Sequence, residues 1–131
     1  MSNTQDEKSR FEHLDGSTVD YLRELRQTDP DIIDDLVGLF LHNAEQAINN
    51  IGDCIRNRSW VDAKHYIHKL KGSSLALGAQ DIAKICESLE QVLAREAAAS
   101  SVEANRLVDE LKETASITFA EIERLKSIDA A

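Results

Sequence analysis

Proline occurs once and glycine five times in the 131 residues, so the chain has few of the residues that interrupt helices or build tight turns. With cysteine present only twice, at Cys54 and Cys86, a disulfide-stapled secreted scaffold is excluded as the default. Both thiols are expected to be reduced and to serve as small apolar core residues. No apolar run is long enough to cross a bilayer and no signal-like segment opens the chain. A cytoplasmic protein is expected. Positive charge is scarce as well: 15 Lys and Arg stand against 24 Asp and Glu, a net charge of -9. Such a balance repels nucleic acid and anionic membrane surfaces, so neither is an expected partner.

What remains is rich in Ala, Leu, Ile, Glu, Asp and Lys, the composition of long helices with short connections. The length suits one domain, here residues 14–127, behind a polar, flexible lead-in at residues 1–13, and Asp129 to Ala131 are expected to fray. Ser17 with Asp20 reads as a capping box for a short first helix ending near Thr28. Asp29 and Pro30 read as the N-cap and first turn of a long second helix, with apolar positions at helical spacing from Ile32 to Ile55. Ser59 with Asp62 opens a third helix, whose inner side is Trp60, Ala63, Ile67, Leu70, Ser74 and Leu77, and Gly78 ends it. A fourth carries Ile82, Ile85, Cys86, Leu89 and Leu93 inward. Ser100 with Glu103 caps a fifth, whose inward positions run from Leu107 to Leu125. Short loops between long amphipathic helices force antiparallel neighbours. The expected fold is therefore all-α: an up-down-up-down four-helix bundle with the short N-terminal helix across one end.

The charge is unevenly spread. From Arg56 to Lys71 five cations face only Asp62, a local balance of +4 that leaves -13 for the rest of the chain. This basic island suits an acidic partner surface or a phosphoryl group. At its end stands His68-Lys69-Leu70-Lys71-Gly72-Ser73-Ser74. On a helical wheel the core positions cluster roughly 120° from His68, which places His68 outside the core. Its own stripe holds Val61, Lys64, His65, Lys71, Gly72 and Leu75. A neutral imidazole offers one ring nitrogen with a free lone pair, a nucleophile toward phosphorus. Helical side chains lean toward the N-terminus, so Lys71 reaches back toward a phosphoryl group on His68 as its charge compensator. Gly72 keeps the space over the imidazole clear, at a cost of about 1 kcal/mol of helix propensity. Val61 and Leu75, seven residues to either side, form an apolar docking patch or else lie beneath the first helix; Lys64 and His65 join the patch as polar neighbours. His13 and His42 have no supporting constellation.

These residues resemble the hallmark of the histidine-containing phosphotransfer (HPt) domain family: a histidine followed at three and four positions by lysine and glycine, then small residues and a further glycine. Gly78-Ala79, Ile82-Ala83-Lys84-Ile85-Cys86 and Leu89-Glu90 extend the likeness. The resemblance implies a phosphorelay intermediate, with His68 as phosphoacceptor, Lys71 as the neighbouring cation and Gly72 as the clearance residue. It implies receiver domains of response regulators or hybrid histidine kinases as partners, a monomeric phosphocarrier that is not a kinase, and no cofactor of its own. Magnesium belongs to the receiver. With no ATP-binding segment, autophosphorylation is not expected. Two other classes compete: a metal-binding bundle using Asp62, His65 and His68 at every third residue, and a helical adaptor without chemistry. The metal reading lacks the matched Glu-x-x-His elements of di-iron bundles, and His68 itself argues against the adaptor.

Overall fold

A computed structural model describes residues 11–95 and 97–128, with only the backbone described for 97–100. Among the described residues five helices follow one another: α1 (Gly16–Thr28), α2 (Ile32–Arg56), α3 (Trp60–Ala76), α4 (Gln80–Ala94) and α5 (Ala97–Arg124), the last tightening into a 3-10 turn at Leu125–Ser127. Each long helix packs on its sequence neighbours, and α5 closes the ring against α2. This is the four-helix bundle anticipated from the apolar spacing. Ile33, Ile51, Ile67, Leu89, Leu111 and Ile122 are at most 1% exposed and are among the most deeply buried side chains of the core. Within α3 the buried set is Ala63, Ile67, Leu70 and Ser74, one face only.

The caps depart from the sequence expectations. Asp15, not Ser17, is the N-cap of α1: its carboxylate accepts from the Thr18 backbone N–H at 3.3 Å and from the Ser17 hydroxyl at 2.6 Å. A carboxylate there also meets the positive end of the helix dipole. α2 starts two residues later than Asp29-Pro30 predicts, with Asp31 as N-cap; Asp29 instead accepts from the Asp31 N–H in a local turn. Ser59 does cap α3 by position, without a side-chain hydrogen bond. Upstream of Ser100 the chain is already helical from Ala97. Phe11 and His13, counted with the lead-in, are packed: Phe11 is 5% exposed and His13 bonds to Glu121. Residues 1–10 and 129–131 lie outside the described residues.

The α3–α4 corner shows why Gly78 stands there. The Gly78 N–H donates to the Leu75 carbonyl and the Ala79 N–H to the Ser74 carbonyl at 2.7 Å, the paired bonds of a Schellman motif, with Gly78 at φ +79°. A Cβ at Gly78 would lie 2.8 Å from Cβ of Thr18 on α1. Gly78→Ala is therefore expected to destabilise the protein by about 1–3 kcal/mol, through a strained left-handed residue and displacement of α1. A urea midpoint equal to wild type would refute this.

α1 lies at the end of the bundle where α3 and α5 finish and α2 and α4 begin. The Arg26 guanidinium donates to the Lys126 carbonyl at 2.6 Å, satisfying a carbonyl at the end of the last helix. The Asp15 N–H donates to the Gly78 carbonyl at 2.7 Å. Thus α1 is tied to both neighbouring chain segments, and its Val19 and Leu22 are buried.

Candidate functional site

The site is built on the outward face of α3, held from behind by the core set of that same helix. His68 directly follows Ile67, which is fully buried, while the His68 side chain is 77% exposed. One residue is 100° of helix rotation, so a fixed core residue next door fixes the bearing of the imidazole. His68 sits mid-helix, where no end fraying reaches it.

Lys71 and Glu90 complete its surroundings. The Lys71 ammonium donates to Glu90 Oε1 at 2.8 Å, and Glu90 Oε2 lies 3.6 Å from His68 Nδ1. The hydrogen bond to Glu90, reinforced by that carboxylate's charge, raises the Lys71 pKa, so this cation is secure. An ammonium has three protons, and only one is needed by Glu90. Lys71 is thereby held on the α4 side of His68 with donors left for an arriving anion. Glu90 belongs to the Leu89-Glu90 pair of the family likeness, which assigns it no role; its position on a different helix, 19 residues from Lys71, hides the pairing in the sequence. An acid on α4 opposite a lysine on α3 was the available signal.

Gly72 lies on the flank of His68 away from Lys71, and Leu75 follows two turns along on nearly the bearing of His68 itself. A Cβ built at Gly72 meets nothing within 4 Å. Among the described residues nothing demands glycine at that position. Val61 and Leu75 are 81% and 56% exposed, so α1 covers neither. Lys64 and His65 are exposed as well, the His65 ring resting edge-on against Tyr66 at 5.8 Å between centroids.

The apolar surface extends further than the reactive stripe. Between α1, α2 and α3 runs an open cleft of about 440 Å³ whose walls include Tyr21, Leu25, Leu36, Leu39, Phe40 and Ala76. Tyr21 and Leu39 are 59% and 62% exposed. Leu36, one of the apolar positions at helical spacing in α2, stays at the surface, so the apolar arc of α2 is wider than one buried face needs. Asp62, His65 and His68 are not gathered into a site: among the described residues no group of three or more His, Cys, Asp or Glu side chains is arranged to hold a metal ion. No helix among them is long and apolar enough to cross a membrane.

Comparison with known proteins gives the family and the fold. The Hpt domain family matches residues 35–125, which span α2 to α5 and include every residue named around His68. The chain belongs to the Hpt domain family, whose members are phosphocarriers in phosphorelays. A search of curated proteins gave no match. Among solved structures the chain is similar to an X-ray structure of a rice protein described as a candidate histidine-containing phosphotransfer protein. The two share 21% identity over 95% of each chain, with a TM-score of 0.70. At that identity the likeness is one of fold.

Proposed function

We propose that His68 accepts a phosphoryl group from an aspartyl phosphate on one receiver domain and hands it to an aspartate on another. The observation that supports this most directly is an exposed imidazole on a rigid helix, with Lys71, Glu90 and the side-chain-free Gly72 within one turn or one helix of it. The Glu90 carboxylate favours the tautomer with the proton on Nδ1, leaving the Nε2 lone pair as nucleophile. Nε2 attacks phosphorus as the bond from phosphorus to the aspartyl oxygen breaks, and the receiver recovers its carboxylate. In the reverse direction the P–N bond breaks and the electron pair returns to Nε2; the Nδ1 proton stays throughout. Lys71 balances the phosphoryl charge. Magnesium, in this reading, sits in the receiver's carboxylate pocket, which the basic island of α3 faces.

The docking surface would then be Val61, Lys64, His65 and Leu75 together with the apolar cleft. Receivers of response regulators or hybrid kinases fit it through an apolar contact beside an acidic pocket. Replacing Val61, Leu75 and Leu39 with alanine is expected to weaken receiver binding about tenfold or more by titration calorimetry, without altering helicity; unchanged affinity would remove these residues from the interface.

The role of Gly72 is separable from its effect on the helix. Gly72→Ala is expected to raise stability by up to about 1 kcal/mol, since alanine is the better helix former and the space is open. Gly72→Gln, whose side chain reaches back over the imidazole, is expected to slow transfer from a phosphorylated receiver at least about tenfold while the fold is retained. Normal transfer by the glutamine variant would dispose of the clearance role.

A further inference from the structure

We propose that the His13–Glu121 pair is a pH-sensitive latch that holds the N-terminal segment, and with it α1, against the end of the bundle. Glu121 is 3% exposed, a carboxylate deep in the last turns of α5. It takes two bonds from one residue: the His13 backbone N–H donates to Oε1 at 2.8 Å, and His13 Nδ1 pairs with Oε2. Flanking residues make this a clamp on a whole segment, because Phe11 and Leu14 are buried on either side of His13. Asp15, next in line, caps α1 and bonds to Gly78. No other residue between Phe11 and Asp15 carries a group that titrates near neutral pH.

The groups around the imidazole all favour its charged form except one. Glu12 comes from the segment itself, Asp81 and Lys84 from α4, and Glu110 and Glu121 from α5. The hydrogen bond to Glu121 dominates and raises the His13 pKa above 6.5, partial burial opposing it. The sign follows. Below pH 6.5 the imidazolium forms in folded and unfolded chains alike, and the pair stabilises the segment in full. As pH rises past that value and through the raised one, the imidazole loses its charge and the ion pair is lost, leaving a hydrogen bond from a neutral ring to the Glu121 carboxylate and the backbone contact. The latch loosens without releasing. Because α1 supplies Tyr21, Leu22 and Leu25 to the apolar cleft, a looser latch also weakens the grip on a partner seated there. That consequence rests on the phosphotransfer reading; the latch itself does not.

Amide hydrogen exchange of residues 11–28, corrected for the intrinsic pH dependence, tests it on the full chain between about pH 5.5 and pH 8.5. Wild type is expected to show an opening equilibrium that rises about tenfold across this range, with α3 unchanged. His13→Gln is expected to show no such rise and to sit near the wild-type high-pH value at every pH. Glu121→Gln, which keeps a polar group of the same shape, is expected to lose the pH dependence as well. A flat wild-type profile, or a rise that persists in His13→Gln, overturns the proposal.

Discussion

His68→Gln is expected to abolish phosphorylation of this protein by a phosphorylated receiver domain while leaving its fold intact. In wild type the label is expected to be acid-labile and base-stable, the behaviour of a P–N bond rather than a phosphoester. Glutamine keeps the polarity and much of the reach of histidine but has no lone pair on nitrogen able to attack phosphorus. Since the His68 side chain is 77% exposed and its nearest charged neighbour, Glu90, remains paired with Lys71, the stability change should stay within about 0.5 kcal/mol. Label that survives in this variant would move the acceptor elsewhere, with His65 the next residue to replace. Complete absence of label in the wild type, with receivers of proven competence, would remove the proposed function itself.

Ile67→Ala is expected to do the opposite. The side chain is fully buried between helices, so its truncation removes apolar contacts and leaves a cavity, at a cost of about 2–5 kcal/mol. Against a total stability of about 5–15 kcal/mol this is a large fraction. Equilibrium urea unfolding should show it directly. Yet below its unfolding transition the variant should still accept phosphate, because the backbone of α3 and the residues on its outer face are unchanged. The two neighbouring positions therefore separate stability from chemistry: one substitution leaves the fold and takes the reaction, the next takes stability and leaves the reaction. Equal loss of transfer in both would mean that the bearing of the imidazole depends on more than helix geometry.

Those opposed outcomes reflect what was legible in the sequence. Burial of Ala63, Ile67, Leu70 and Ser74 and exposure of His68 both follow from a 3.6-residue period, which a single helix expresses locally. Inward positions of α4 and α5 were legible for the same reason. The three features that escaped join residues distant along the chain. Glu90 reaches Lys71 from another helix, and His13 meets Glu121 across 108 residues. The cleft needs α1, α2 and α3 side by side before Leu36 and Leu39 become its walls. His13 looked isolated because its partner is a glutamate that local patterning would place on a solvated face. Caps failed for a smaller reason. Ser17, Asp15, Asp29 and Asp31 are all competent capping residues within a few positions, and backbone geometry chose among them.

Cys86 lies on α4 close enough to Lys71 and Glu90 to feel both charges, and burial pushes its thiol up to about 12. A thiol so rarely ionised and so fully covered is a poor target for peroxide or for disulfide exchange. Cys54, half-buried at the α2–α3 end, is also held above its ordinary value by burial and by Asp62 and Asp53. Neither thiol is placed or ionised so as to couple an oxidant to the surface that would carry phosphate. A cell under oxidative stress could alter the donor or the acceptor of the phosphoryl group, but this intermediary would relay whatever it received.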